Sequence, residues 1–230
     1  MYKVVLWDVD RTLLDFDAAQ GAAIKTLFKE FNLGECSDEM LEDYDHINHK
    51  YWGMLERKEI TKPEVLLNRF VEFFNKYNLH ADPAVFNKRY QNALGDTIVF
   101  YPNVLETLNH LKDKGIKQYA ITNGTKAAQD KKLSRSGLIN ILDGVYISDV
   151  IKHEKPSLEF FEPVLNDLKD YSKEEMLIVG DSLSSDIKGA NNVGIKGVWF
   201  NFKSQTNNSD VVIDYEIKDI KEVIDIVEGN

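Results

Sequence analysis

The chain has 230 residues, of which 43% are hydrophobic, so it is long enough for a domain with an insertion and for a substantial core. It carries 38 acidic and 28 basic residues, and the net charge of -10 argues against a partner that is a nucleic-acid polymer or an anionic membrane. The single cysteine, Cys36, excludes an internal disulfide and disfavours a thiolate metal site.

The N-terminus leads into the first apolar run without a signal segment, and no stretch approaches the roughly 18 apolar residues of a membrane-spanning helix. We therefore expect a cytoplasmic protein that does not associate with membranes. Any anionic substrate must be captured by local positive charge, because the protein as a whole is acidic.

The first predicted element is a strand at residues 4–7, which is followed closely by Asp8 and Asp10. Its β-branched and aromatic residues are typical of a strand that is buried on both faces. In an open α/β sheet ligands bind beyond the carboxyl ends of the strands, where these two carboxylates lie. The alternative is that they only open a turn, since aspartate is a common turn residue.

Residues 17–94 show helical periodicity throughout and contain no convincing strand. Helix starts are indicated by Asp17, Ser37, Thr61 and Asp82, each of which precedes a run with apolar residues at three- and four-residue steps. The sequence therefore predicts a compact helical bundle, rich in aromatic residues, that is inserted after the first strand.

Beyond residue 102 short apolar runs alternate with amphipathic helices, which is the pattern of βαβ units and a parallel sheet. The predicted strands cover residues 117–122, 144–148, 176–179, 197–200 and 211–213, and the predicted helices cover residues 104–114, 126–137, 157–168, 184–192 and 216–227. We expect an α/β core domain formed by residues 1–15 and 96–230, and an inserted helical domain formed by residues 16–95.

Polar residues follow four of the predicted strands, at the edge where the carboxyl ends of the strands meet. They are Asp8 and Asp10, then Thr122 and Asn123, then Lys155, and finally Asp181 with Asp186. Taken alone, residues 122–124 read as a plain turn and residues 155–156 as a surface loop. Their order after successive strands makes accidental agreement improbable.

This arrangement resembles the haloacid dehalogenase superfamily of phosphotransferases over the whole chain. The resemblance implies a Rossmann-like core with a central parallel sheet, and an insert similar to the helical cap of the family. The seam between a core and an insert is a common place for a binding site.

Each of these residue types has a chemical reason to be there. Asp8 can attack phosphorus and form an aspartyl-phosphate, while Asp10 can protonate the leaving oxygen and later take a proton from water. Thr122 with backbone amides near Asn123 can donate hydrogen bonds to phosphoryl oxygens, and Lys155 supplies a positive charge.

Crowded carboxylates repel one another unless a cation lies between them, and oxygen ligands beside a phosphate suit Mg²⁺. Asp8 and Asp181 are the expected ligands, with Asp186 holding the metal or its water from further out. The resemblance adds the backbone carbonyl of Asp10. We therefore expect Mg²⁺ as cofactor and a small phosphomonoester as substrate.

Arg11 departs from the usual motif of the family, in which glycine follows the second aspartate. If glycine is needed there for a positive φ angle, arginine is strained. The Arg11 side chain either points to solvent or reaches an anion of the substrate, and we favour solvent.

Residues 14–16, 48–60, 69–70 and 122–124 look like the branch of the superfamily that dephosphorylates pyrimidine nucleoside monophosphates. In the insert, Trp52 and Phe70 could stack on a base, although an aromatic stripe on a helix is more often core. The alternatives are a phosphatase or phosphomutase for a sugar phosphate or another small metabolite and, more remotely, a non-catalytic ligand-binding relative.

Overall fold

The computed structural model describes residues 1–229 and contains two compact units. The first, here called the α/β unit, consists of Met1–Phe16 and the chain from Ile98 onward. The second, here called the helical unit, is Asp17–Thr97. That the helical unit acts as a cap stays a prediction.

The described residues of the α/β unit form a six-stranded sheet in the order β3-β2-β1-β4-β5-β6, and every neighbouring pair is parallel. The predicted parallel α/β sheet is thus confirmed. The strands are β1 (Val4–Trp7), β2 (Lys117–Thr122), β3 (Gly144–Ile147), β4 (Met176–Gly180), β5 (Lys196–Phe200) and β6 (Tyr215–Ile217).

The helical unit consists of the first four helices of the chain, and the α/β unit has helices of its own. Within residues 1–229 no helix is long and apolar enough to cross a membrane. The helices are α1 (Phe16–Glu30), α2 (Asp38–Glu56), α3 (Lys62–Tyr77), α4 (Pro83–Ala93), α5 (Val104–Asp113), α6 (Lys126–Ser136), α7 (Ser148–Ile151), α8 (Leu158–Asp167), α9 (Lys188–Val193) and α10 (Glu222–Glu228).

Strand β1 lies at the centre of the sheet, where Val4 pairs with both Lys117 and Met176. All four of its side chains are fully buried. Val5 and Trp7 pack into the core on one face of the sheet, and Val4 and Leu6 pack into the core on the other. The continuous apolar run in the sequence reflects this burial on both faces.

The predicted helix starts in the helical unit are confirmed at three positions. The Ser37 hydroxyl accepts a hydrogen bond from the Met40 amide at 3.2 Å, and the Asp82 carboxylate accepts from the Ala84 amide at 2.7 Å. Glu64 accepts from the Thr61 amide at 2.7 Å, as in a capping box. These caps fix where α2, α3 and α4 begin.

Three predictions near the C-terminus are wrong in detail. Residues 211–213 are not a strand, and Val212 is 63% exposed, whereas β6 lies at Tyr215–Ile217. The last helix begins at Glu222 rather than at residue 216. The predicted helix at residues 184–192 is divided into a π-helical turn, Leu183–Ile187, and α9. An edge strand of three residues shows too little periodicity to be recognised in the sequence, and a nearby run of aliphatic residues was therefore predicted as the strand instead.

Candidate active site

Asp8 lies directly after β1, and its backbone amide donates to the Val179 carbonyl at 2.8 Å, so the position of Asp8 is fixed by the sheet. Its carboxylate is 10% exposed. Oδ1 accepts from Lys155 Nζ at 2.7 Å, and Oδ2 accepts from Thr12 Oγ1 at 3.2 Å. Asp8 therefore presents a firmly held carboxylate at the C-terminal edge of the sheet.

Lys155 is 1% exposed and uses all three donors of its ammonium group. Besides Asp8, Nζ donates to Asp186 Oδ1 at 2.6 Å and to the Ile121 carbonyl at 2.8 Å. The Lys155 backbone is held by the Asn123 side chain, which donates to its carbonyl at 2.9 Å and accepts from its amide at 2.8 Å. The structure thus brings the end of β2 and the loop containing Lys155 to Asp8.

Asp181 and Asp186 approach the same point from the end of β4. Asp186 Oδ2 accepts from the Ser182 amide at 3.1 Å, and the Asp181 amide donates to Thr12 Oγ1 at 3.1 Å. Gly180 has a steric role, because a Cβ at that position would lie 2.2 Å from Asp186 Oδ2. Glycine thereby allows the Asp186 carboxylate to lie against the strand.

One carboxylate oxygen from each of Asp8, Asp181 and Asp186 lies within 4.8 Å of the other two. Three ionised carboxylates beside one ammonium group leave an excess of two negative charges, which a divalent cation would neutralise. Carboxylate oxygens are the ligands that Mg²⁺ prefers. The donor set therefore fits Mg²⁺. The Asp10 carboxylate is not part of this cluster, and the role of its backbone carbonyl as a ligand stays a prediction.

The pKa values of these residues reflect the same excess of negative charge. Burial raises the pKa of Asp8 to about 7, because the lowering effect of Lys155 is partly offset by the negative charge of Asp186. Burial, together with the charges of Asp8 and Asp186, raises the pKa of Asp181 well above its ordinary value. For Lys155, burial opposes the charged form, but Asp186 and Asp8 outweigh it and the pKa is raised. The lysine therefore stays an ammonium beside carboxylates that bind protons readily.

Asp10 makes different contacts, with the side chains of α6. Lys132 Nζ donates to Asp10 Oδ1 at 2.5 Å, and Gln129 Nε2 donates to Asp10 Oδ2 at 2.7 Å. Neither residue was predicted from the sequence, and neither was Thr12, whose hydroxyl links Asp8 to Asp181. Gln129 and Lys132 lie three residues apart, on the same face of α6, and both are buried. Polar residues on the buried face of a helix are the feature that could have identified them from the sequence.

Arg11 has a φ angle of 65°, in the left-handed region that favours glycine. The backbone amide of Arg11 donates to the Leu14 carbonyl at 2.8 Å, so a tight turn imposes this conformation. Its guanidinium lies 4.9 Å from the centre of the Phe16 ring, and its positive charge lowers the pKa of Asp181. Arg11 therefore packs on an aromatic ring, and its charge is felt in the carboxylate cluster.

The remaining predicted phosphate ligands lie at the end of β2. Thr122 is 1% exposed, and its hydroxyl accepts from the Gly124 amide at 3.1 Å, which leaves the hydroxyl proton free to face a ligand. The Asn123 side chain is engaged with the Lys155 backbone. A phosphate contact from residue 123 is accordingly left to its backbone amide.

Of the two predicted specificity residues, Phe70 is fully buried in the helical unit, with its ring about 5.1 Å from those of Tyr44 and Tyr90. The base-stacking interpretation of Phe70 is therefore corrected to core packing, since no face of the ring is open. Trp52 is half-buried, and its role stays a prediction. The helical unit also has a cavity of about 390 Å³ between α1 and α2, whose polar lining includes Gln20 and Asp45.

The family model described as haloacid dehalogenase-like hydrolase matches residues 5–200. Pyrimidine 5'-nucleotidase PynA of Streptococcus pneumoniae (strain ATCC BAA-255 / R6) is 33% identical over 229 residues, which cover 100% of this chain and 96% of that protein. Pyrimidine 5'-nucleotidase YjjG of Escherichia coli (strain K12) is 27% identical over 197 residues, with coverages of 86% and 85%.

Among solved structures, the magnesium-bound HAD-hydrolase YfnB of Bacillus subtilis superposes with a TM-score of 0.92. It is 31% identical in sequence, and the match covers 98% of each chain. The similarity to these proteins therefore extends through both the α/β unit and the helical unit.

Proposed function

Because the chain belongs to the haloacid dehalogenase-like hydrolase family, we propose that it hydrolyses phosphomonoesters through a covalent intermediate on Asp8. The observation that carries this proposal is the buried carboxylate of Asp8, which is held between Lys155 and Thr12 at the end of the central strand. Asp10 lies two residues further on and is 24% exposed, so it can reach a leaving group.

In the first step an oxygen of Asp8 attacks phosphorus and the bond from phosphorus to the leaving oxygen breaks. Asp10 gives its proton to that oxygen, so the alcohol leaves neutral. In the second step Asp10 takes a proton from water, the water oxygen attacks phosphorus, and the bond from phosphorus to the Asp8 oxygen breaks, so that inorganic phosphate leaves and the Asp8 carboxylate is restored. The Thr122 hydroxyl donates to a phosphoryl oxygen in both steps, and the positive charge of Lys155, which is held beside Asp8, stabilises the negative charge of the phosphoryl group.

We assign Mg²⁺ binding to Asp8, Asp181 and Asp186, with the backbone carbonyl of Asp10 as a further ligand. When bound, the ion neutralises the carboxylates and polarises the phosphoryl group. This assignment is supported by the clustering of the three carboxylates and by the magnesium in the YfnB structure.

For the substrate we propose pyrimidine nucleoside monophosphates, which would make the protein a 5'-nucleotidase. The similarity to PynA and YjjG supports this choice. The core residues engage only the phosphoryl group and the metal, so discrimination among leaving groups is assigned to the helical unit acting as a cap. Its cavity has a volume within the range of small-molecule sites.

The test is a hydrolysis screen in the presence of Mg²⁺. We expect UMP, dUMP or dTMP to be hydrolysed with higher kcat/KM than purine monophosphates and sugar phosphates, because a larger base fits a closed cap less well. If sugar phosphates exceed every nucleotide, the nucleotidase assignment fails and the phosphatase assignment stands. If p-nitrophenyl phosphate and all other substrates remain intact, the protein is a non-catalytic relative. Full activity in excess EDTA after dialysis would contradict the role of the metal.

A further inference from the structure

We propose that Gln129 and Lys132 of α6 are positioning residues, which hold the Asp10 carboxylate in the orientation from which it serves the leaving group. This inference rests on the proposed function and concerns two residues that lie outside the motifs carrying Asp8, Thr122, Lys155 and Asp181. The two side chains together engage both oxygens of Asp10, at 2.7 and 2.5 Å. Two hydrogen bonds from one rigid helix fix the plane of a carboxylate as well as its position.

Lys132 is unusual for a lysine because its side chain is only 3% exposed. Its ammonium lies 4.9 Å from the centre of the Phe16 ring, which Arg11 also contacts. A buried ammonium needs a charged or aromatic partner, and here it has both. The Phe16 ring thus contacts the Lys132 ammonium, and the ammonium in turn donates a hydrogen bond to Asp10.

Gln129 is fully buried, and while Nε2 donates to Asp10, its Oε1 has no hydrogen-bond partner within residues 1–229. A buried amide with one unsatisfied end is unfavourable for stability, and the reversed amide would direct its oxygen at the carboxylate. Gly124 makes room for this arrangement, since a Cβ there would lie 2.3 Å from Gln129 Nε2. The local structure therefore accommodates Gln129 in the one orientation that donates to Asp10.

Asp10 itself remains 24% exposed, although both of its oxygens accept hydrogen bonds. The α6 side chains thus orient the carboxylate and leave it accessible from one side. If this orientation serves proton transfer, its loss will slow the hydrolysis of substrates whose leaving oxygen must be protonated. Substrates with a good leaving group will be little affected.

The experiment compares two substrates of nearly the same shape, phenyl phosphate and p-nitrophenyl phosphate. The leaving oxygen of phenyl phosphate depends more on protonation by a general acid. We expect Lys132→Met and Gln129→Met each to lower kcat on phenyl phosphate by about tenfold or more, with KM and the p-nitrophenyl phosphate rate within about threefold of wild type. In an Asp10→Asn background, Lys132→Met should add less than about a threefold loss, because its target is already removed.

The control is Lys126→Met, which removes an exposed lysine of the same helix that pairs with Asp130, and it should leave both rates unchanged. Lys132→Arg keeps a charged donor but not the compact ammonium, and it should recover only part of the loss on phenyl phosphate. Circular dichroism and melting curves identify any variant that fails to fold, and Gln129→Met provides an independent test if Lys132→Met does so.

Equal losses on both substrates, additivity with Asp10→Asn, or faster turnover in Lys132→Met would each overturn the positioning role. A wild-type protein that hydrolyses neither substrate would instead overturn the proposed function. The two failures are therefore distinguishable.

Discussion

Two of the buried cations lie in contrasting surroundings, Lys155 in the α/β unit and Arg69 in the helical unit, each 1% exposed. Lys155 contacts the carboxylates of Asp8 and Asp186. Arg69 donates to two neutral amide oxygens, those of Asn48 at 2.7 Å and Asn87 at 3.0 Å.

Aromatic faces complete the environment of Arg69, whose guanidinium carbon lies 5.1 Å from the ring centres of both Phe70 and Tyr90. The residues around Arg69 also form hydrogen bonds with one another, and Asn48 donates to Gln20 Oε1 at 3.3 Å. The network around Lys155 instead has more negative than positive charge. Buried groups of like charge crowded together indicate a ligand site, whereas a single buried cation held by neutral amides and aromatic rings indicates a structural role.

The largest expected effect tests the charged network. Asp8→Asn should lower kcat on p-nitrophenyl phosphate by more than about 10³-fold, because an amide is a poor nucleophile and a weak metal ligand. Steady-state kinetics measures the loss, and the exposed Asp113→Asn serves as control. An Asp8→Asn protein with more than a tenth of wild-type activity would exclude Asp8 as the nucleophile.

The next effect concerns the helical unit. Phe70→Ala should lower the free energy of unfolding by about 3–5 kcal/mol, because it removes a fully buried ring from an aromatic cluster. Urea denaturation measures the change, with Leu67→Ala on the exposed side of α3 as a control that stays within about 0.5 kcal/mol. A normally stable Phe70→Ala protein with a weakened nucleotide preference would restore the base-stacking interpretation.

Lys155→Ala should lower kcat/KM by about 10²-fold or more, because the variant loses the positive charge that acts on the phosphate in both ground and transition states. Lys155→Arg should recover little of this loss, since a planar fork does not replace a point charge in a tight site. The measurement is kcat/KM on p-nitrophenyl phosphate. Near-normal activity of Lys155→Ala would place the lysine outside the phosphate site.

The smallest effect is a dependence of stability on pH. The raised pKa values of Asp8 and Asp181 mean that the folded protein holds protons which the unfolded chain has already lost. Their contribution to stability therefore falls as pH rises from about 4 through about 7, the reverse of the usual carboxylate effect. Mg²⁺ should accordingly raise Tm more at pH 8 than at pH 5, by on the order of 5 °C.

Thermal melts with and without Mg²⁺ at both pH values make this measurement. In Asp181→Asn the Mg²⁺-induced rise in Tm should differ less between pH 5 and pH 8 than in the wild type. Asp113→Asn should show the same difference as the wild type. An equal rise in Tm at pH 5 and pH 8 would contradict the role of the ionised carboxylates.

The sequence predicted the parallel sheet and the residues at the ends of its strands because those signals are local. A buried apolar run followed by Asp8, or by Asp181, can be recognised from a few neighbouring positions. Cap residues such as Ser37 were predicted for the same reason. Their physical cause lies within three residues of the signal.

The contacts that the sequence did not reveal are those that join distant segments. Lys132 and Asp10 meet only after α6 packs on the sheet, and a polar residue on a predicted helix does not say what it will contact. The position of β6 was missed because Ile217 is buried through its pairing beside Phe200, whereas the more apolar residues 211–213 find no such partner strand.

The central position of β1 has a consequence for synthesis. Val4 pairs with Lys117 on one side and Met176 on the other, so the first strand made on the ribosome is completed by segments made much later. All of residues 17–97 emerge before either neighbouring strand exists. During that interval the apolar residues Val4–Trp7 have no partner strands, so this segment of the nascent chain is open to aggregation until β2 and β4 are made.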